Sequence, residues 1–181
     1  MTTPIEHTVD DIVLRSPETL GTLIKVQRSV GKGYGVFAAK NIPVGSLVLS
    51  EAPLIVLIDH GSRVDPLDTA VNALSPARRK AYRRLCSYRH RPSETLNRSI
   101  LYSNGFAVGE TTTGVFELGS RINHSCTPNC AYAWNEERGA MIFKNSLELL
   151  QGQELTISYG HHKGHLKKFY GFECDCGSCT E

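Results

Sequence analysis

The chain has 181 residues, 40% hydrophobic and 21% charged, with a formal net charge of +2 at pH 7. That length fits one domain with a real core, and so small a net charge gives no general drive toward nucleic acid. No uninterrupted apolar run nears the roughly 20 residues of a membrane span.

The start, residues 1–10, lacks the apolar heart of a signal peptide. An intracellular protein, in nucleus or cytoplasm, is therefore expected. Its six Cys read as thiols or metal ligands rather than disulfides. Residues 1–21 are weakly patterned and read as a loose arm or an edge strand. Leu23, Ile24 and Val26 predict a short strand. Gly31, Gly33 and Gly35 alternate with Lys32 and Tyr34, and permit tight bends and close approach of a ligand to the main chain. No Gly-Lys-Ser/Thr follows, so this is not a phosphate loop. Residues 46–58 supply two aliphatic strands separated near Pro53.

From 63 to 101 the pattern turns helical. Asp65-Pro66 and Ser75-Pro76 each read as an N-cap followed by proline at the first helical position. Ala77, Ala81, Leu85 and Tyr88 make one apolar face of a basic helix over 78–91. Its Arg78, Arg79, Lys80, Arg83 and Arg84 read as a solvated surface, with docking of an acidic partner as the alternative. Ser93-Glu94 starts a third helical stretch, which Gly105 ends. Strand character returns at 106–108 and 115–116. Residues 131–134 and 140–143 form a hairpin, and 154–159 another strand.

Two stretches carry chemistry. Residues 121–130 read Arg-Ile-Asn-His-Ser-Cys-Thr-Pro-Asn-Cys, crowding ligating and hydrogen-bonding side chains into one window. The tail holds Cys174, Cys176 and Cys179, three of the four ligands that structural zinc wants. The fourth must come from elsewhere, and His161, His162 or His165 is one source.

Four motifs stand in the order found in SET-domain lysine methyltransferases: Gly-Lys-Gly-Tyr-Gly-Val-Phe, Asn-His-Ser-Cys-x-Pro-Asn, Glu-Leu-Thr-Ile-Ser-Tyr-Gly and Cys-x-Cys-x-x-Cys. The chain resembles that family over about 22–180, closest to the SET and MYND type but without the MYND zinc insert. The resemblance implies a mainly β (α+β) fold, a β-clip of small curved sheets with a pseudoknot. It divides the chain into an arm (1–21), a SET domain (22–160) with a helical insertion (59–104), and a post-SET zinc-binding tail (161–181).

It also implies methyl transfer from S-adenosylmethionine to a lysine amine. Tyr159 would be the catalytic tyrosine. Lys32, Gly33, Tyr34, Asn123, His124, Tyr159 and Phe172 would hold the cofactor, and Ile157 would line the lysine channel. In similar proteins the fourth zinc ligand is the cysteine of the signature, here Cys126, which leaves Cys86 and Cys130 as ordinary thiols. The partner implied is a protein presenting a lysine, histone or non-histone. Nucleic acid is not directly implied, no membrane is, and a monomer is expected. The rival expectation is a non-catalytic SET-like module, zinc-stabilised, that binds a peptide.

Overall fold

A computed structural model describes residues 18–58, 66–160 and 163–179. The expectations for the arm therefore fall mostly outside the described residues, as do Asp65, His161 and His162. The fold is mainly β with helices, as expected. It consists of small antiparallel sheets and one parallel pair.

Strands β1 (Ile24–Ser29) and β2 (Gly33–Ala38) form a hairpin. β3 (Leu47–Glu51) and β4 (Ile55–Ile58) follow and go to different sheets. Three helices come next: α1 (Leu67–Ala73), α2 (Pro76–Arg83) and α3 (Leu96–Asn104). β5 (Gly105–Ala107) and β6 (Thr112–Val115) return to β4, in the order β4-β6-β5. β7 (Asn123–His124) carries the signature. β8 (Cys130–Asn135) and β9 (Ala140–Asn145) make the expected hairpin, with β9 pairing β3 on its other side. β10 (Thr156–Ile157) pairs with β7 in parallel, and α4 (Lys163–Tyr170) leads to the tail.

Alternation decides which faces are covered. In β1, Ile24 and Val26 point in while Lys25 points out; in β9, Met141 and Phe143 are fully buried. These residues join Val36, Leu49, Phe116 and Ile157 in one core beneath the sheets. A second core lies among the helices, built on Leu67, Val71, Tyr82, Ile100 and Val115. Buried Tyr82 satisfies its hydroxyl by donating to Asn97 O at 2.8 Å.

The helical boundaries differ from the sequence expectation. α2 starts as expected, with Ser75 Oγ accepting from Arg78 N and Pro76 in the first turn. It stops at Arg83 instead of running to 91. Beyond it, Tyr88 N–H donates to Ser103 Oγ at 2.9 Å in place of a carbonyl four residues back. Arg78 is also not a solvated surface residue: its Nη2 donates to Pro53 O and Leu54 O, pinning α2 to the entry of β4. α3 begins at Leu96, not at Ser93. Thr95 Oγ1 caps Arg98 N, while the Glu94 carboxylate accepts from His90 N at 2.9 Å. Pro66 is itself the N-cap of α1. Gly105 ends α3 with an extended φ of −76°, and is needed for close approach: a Cβ there would strike Thr113 and the Leu101 carbonyl.

Candidate active site and cysteine cluster

The glycine-rich turn between β1 and β2 holds Gly31 and Gly33 at φ of +74° and +78°, conformations that glycine adopts without a steric penalty. Gly35 serves a different purpose. A Cβ there would collide with Glu154 Oε1 and crowd Asn123 Nδ2. Asn123 Nδ2 donates to Glu154 Oε1 at 2.6 Å, and Ser29 Oγ donates to Glu154 Oε2 at 3.1 Å. Glu154 thereby ties the signature to the glycine turn.

The turn, the signature, the end of α3 and the tail enclose a cavity of about 430 Å³, within the range of small-molecule sites. Lys32, Gly33, Tyr34, Asn123, His124, Tyr159 and Phe172 all line it, so seven residues singled out in the sequence meet at one place. Lys32 Nζ lies 2.8 Å from Asp175 Oδ1, which latches the glycine turn to the cysteine tail across the cavity rim.

Tyr159 and His124 are joined through β7 and β10. Ser125 N donates to Ile157 O, and Tyr159 Oη donates to Ile122 O at 3.0 Å. Tyr159 N–H donates to His124 Nδ1 at 3.1 Å. The Tyr159 ring packs on Tyr170 at 4.9 Å between centroids, on His124 at 5.2 Å and edge-on to Phe172 at 6.4 Å. Burial, reinforced by Tyr170, holds its phenol well above the usual value, so it keeps its proton at neutral pH.

A second, narrower cavity of about 90 Å³ adjoins the first. Ser103, Asn104, Ser120, Tyr159 and Tyr170 line both. Ile157, Phe106 and Tyr132 line the narrow one alone. Tyr159 thus stands at the junction of a large chamber and a small aromatic one.

The four thiols of Cys126, Cys174, Cys176 and Cys179 lie within 4.8 Å of one another. Sγ of Cys126 is 3.9 Å from that of Cys174 and 3.6 Å from that of Cys179, and Cys176 and Cys179 are 3.7 Å apart. A tetrahedral zinc with Zn–S of about 2.3 Å requires S···S of about 3.8 Å. Disulfides need about 2.05 Å. The donor set therefore fits a four-thiolate metal site. Among the described residues no His joins the cluster; His165 is exposed on α4, with its ring against Phe169 at 6.0 Å. Of the remaining cysteines, Cys130 is buried in the first core, where burial pushes its thiol up to about 12. Cys86 lines the large cavity, and burial pushes its thiol up as well.

Two polar groups at this site, and one that supports it from behind, escaped sequence reasoning. Asn104 is 4% exposed and lines both cavities. Its Nδ2 donates to Cys86 O and Ile100 O, and its Oδ1 is enclosed without a partner among the described residues. Its one sequence signal, an Asn just before Gly105, reads as an ordinary helix end. Arg121 is 8% exposed on the wall of the large cavity, with its guanidinium 6.0 Å from the Tyr34 ring and its Nε lacking a hydrogen-bond partner among the described residues. Burial disfavours its charge, and Glu117 and Glu51 offset that. Glu51 falls within the stretch 46–58 that reads as two aliphatic strands, where a single charge draws no notice. Its carboxylate accepts the N–H groups of Glu117, Leu118 and Gly119 at 2.8–3.1 Å and so fixes the turn that launches the signature.

The SET domain family model matches residues 33–160. The chain is 30% identical over 167 residues to the histone-lysine N-methyltransferase set5 of Schizosaccharomyces pombe, covering 87% of this chain and 50% of that protein. It is 34% identical over 77 residues to the histone-lysine N-methyltransferase SMYD3 of Mus musculus, covering 39% of this chain and 18% of SMYD3. It is 25% identical over 190 residues to a putative SET domain-containing protein, L678, of Acanthamoeba polyphaga mimivirus, covering 82% and 74%. The chain thus spans about half the length of the first of these relatives and under a fifth of the second. With the family model matching most of its length, this chain belongs to the SET-domain family.

Proposed function

We propose that the protein transfers methyl groups from S-adenosylmethionine to the side-chain amine of a lysine in a protein substrate, histone or non-histone. The observation that carries this reading is the position of Tyr159 between the two chambers. The larger suits a nucleoside-sized cofactor; the smaller, walled by Phe106, Tyr132, Ile157 and Tyr170, suits an alkyl stem. The relatives called histone-lysine methyltransferases support the same class.

When bound, the cofactor supplies an electrophilic methyl group and zinc a cross-link between four thiolates. The chain's own residues do the rest. Lys32, Gly33, Tyr34, Asn123, His124 and Phe172 would hold the cofactor. Arg121 would offer it a cation and Asn104 Oδ1 a hydrogen-bond acceptor. Cys126, Cys174, Cys176 and Cys179 would hold the zinc. Tyr159 Oη spends its proton on Ile122 O, so its lone pairs remain to accept from the lysine amine and hold it in line. Because Tyr159 stays protonated, it orients the amine and does not act as its base. Neutralising a lysine of pKa ~10.4 at pH 7 costs about 4.6 kcal/mol, at ~1.36 kcal/mol per unit. The apolar channel reduces that cost by disfavouring the charged amine.

On this reading the chain divides into an arm (1–21), a SET domain (22–160) with a helical insertion (59–104) and a post-SET tail (161–181). Its thiols suit a reducing compartment, nucleus or cytoplasm. No described helix is long and apolar enough to cross a membrane.

The test is tritiated S-adenosylmethionine incubated with purified protein and either whole-cell lysate or mixed histones. A labelled protein band with the label on lysine is the expected result. Cofactor binding with no transfer to any protein leaves the peptide-binding module as the better reading.

A further inference from the structure

Glu154 has no part in the chemistry above, yet two distant segments converge on its carboxylate. It lies just ahead of β10, two residues before Thr156, and stands behind the wall of the large cavity rather than on it. Asn123 Nδ2 of β7 donates to Oε1 at 2.6 Å, and Ser29 Oγ at the end of β1 donates to Oε2 at 3.1 Å. Ser29 is itself buried. With both oxygens held, the carboxylate has one fixed orientation.

These neighbours accept the Asn123 amide in only one orientation. A carboxylate and a backbone carbonyl accept hydrogen bonds and donate none. Asn123 Nδ2 faces one of each, Glu154 Oε1 and, at 3.4 Å, Tyr34 O. Turning the amide over would set its Oδ1 against a carboxylate oxygen, two acceptors with no proton between them. Both Nδ2 hydrogens are therefore engaged, and the carbonyl end is left over. Asn123 lines the large cavity, and its Oδ1 has no hydrogen-bond partner among the described residues. The missing Cβ of Gly35 leaves the space that this arrangement needs.

We propose that Glu154 is a positioning residue for the cofactor: it holds the Asn123 amide so that the cavity wall presents a carbonyl oxygen, and that oxygen selects a hydrogen-bond donor on the ligand. The inference rests on the methyl-transfer reading, which supplies the ligand. S-Adenosylmethionine carries donors at its ammonium, its ribose hydroxyls and its purine amine. The ammonium is the match, because it alone among them is charged, and a carboxylate behind the amide polarises Oδ1 toward a cation. Without Glu154 the amide can turn, and an Nδ2 donor facing the ammonium would repel it. Glu154 touches no ligand and acts only through Asn123.

The experiment uses the full chain and two ligands, S-adenosylhomocysteine and its deaminated analogue, in which hydrogen replaces the amino group. Titration calorimetry gives the ratio of their dissociation constants, and melting curves confirm folding. The wild type should favour the amine about tenfold or more, the scale of one hydrogen bond to a charged group. Glu154→Ala should cut that ratio about threefold or more. Glu154→Gln, whose Oε1 still accepts from Asn123, should keep it within about twofold of the wild type. On an Asn123→Ala background the ratio has already fallen, and adding Glu154→Ala should change it no further, since one residue acts through the other. Ser29→Ala loosens the same carboxylate more gently; it should lower the ratio about twofold, and it replaces Glu154→Ala if that variant does not fold. A wild-type ratio near one, an unchanged ratio in the variant measured, a Gln variant as poor as Ala, or a further fall in the double variant would overturn the proposal. Failure of the wild type to bind S-adenosylhomocysteine at all would sink the methyl-transfer reading and the proposal with it. Binding with a ratio that Glu154 does not influence sinks the proposal alone.

Discussion

His124 receives the backbone N–H of Tyr159 on Nδ1 at 3.1 Å, while its Nε2 lies 3.5 Å from Cys126 Sγ. A ring nitrogen that accepts leaves the other to carry the proton, so the neutral tautomer is Nε2–H. One imidazole therefore links the tyrosine at the chamber junction to a thiol of the cysteine cluster, as an outer-shell partner of a metal ligand does. Replacing His124 with Phe removes both contacts. One such hydrogen bond is worth about 0.5–1.5 kcal/mol, so turnover should fall about 2- to 10-fold through misplaced Tyr159. Steady-state kinetics on a validated substrate, beside the zinc content of the variant, check this.

Tyr159→Phe separates chemistry from binding. The ring stays against Tyr170 and Phe172, so cofactor affinity should be nearly unchanged. The amine loses its orienting oxygen, and misplacement of about 1 Å can cost about 10²-fold in rate. The Ile122 carbonyl also loses its donor, which should lower stability by about 1–3 kcal/mol. Calorimetric cofactor titration, single-turnover kinetics and a melting curve measure the three effects. A variant with wild-type turnover removes Tyr159 from the mechanism.

Metal removal should act on the cofactor cavity before it acts on the core. Structural zinc contributes roughly 10–16 kcal/mol of apparent binding free energy in small domains. Here Cys126 lies two residues after the cavity-lining His124, and Phe172 and Asp175 lie within two residues of the tail thiols. The Lys32–Asp175 latch depends on the tail staying in place. Chelator-treated protein, or Cys174→Ser, should bind cofactor at least tenfold more weakly while keeping most of its strand content by circular dichroism. Unchanged affinity after confirmed metal loss contradicts this coupling.

Ile157 bears on how many methyl groups are added. It is 1% exposed and lines the narrow chamber with Tyr132 and Tyr170. It has no hydroxyl to anchor a blocking water, so products beyond the monomethyl form are expected. Ile157→Tyr should shift the products toward monomethyl lysine, at a packing cost of about 1–3 kcal/mol. Mass spectrometry of a peptide after long incubation with excess cofactor decides it. Exclusively monomethylated product from the wild type would sink the idea.

Glu51 should make stability pH-dependent. Burial lifts its carboxyl from 4.5 to about 7, against the opposing amide donors of Leu118, Gly119 and Glu117. A folded value above the unfolded one means the native state holds the proton more tightly. The resulting contribution is complete below about 4.5 and disappears as pH rises through about 7. Glu51→Gln cannot titrate. Relative to that variant, the wild type should lose about 1–3 kcal/mol between pH 4.5 and 8. Urea unfolding at both pH values tests the sign; a gain with rising pH would show that the amide donors outweigh burial.

The sequence by itself determined the elements and motifs that depend on neighbouring residues. The glycine turn was legible because Gly31 and Gly33 occupy backbone conformations that few other residues tolerate. The β8–β9 hairpin was legible from two strand-like runs flanking the polar turn that ends at Gly139, and the tail thiols from their spacing. Ser75 and Pro76 marked the start of α2 because capping is local.

The tertiary structure decided what rests on contacts far along the chain. α2 ends at Arg83, where Tyr88 N–H finds Ser103 Oγ fifteen residues away. Gly35 is glycine because Glu154 must reach Asn123 beside it. The sequence reading left His161, His162 and His165 as alternatives to Cys126, which spacing within the tail cannot weigh. Cys126 sits 48 residues before Cys174, and the parallel pairing of β7 with β10 fixes where the signature lies. Asn104, Arg121 and Glu51 carry no periodic signal. Their significance is burial, which depends on which apolar surfaces meet above them, and no window of neighbouring residues encodes that.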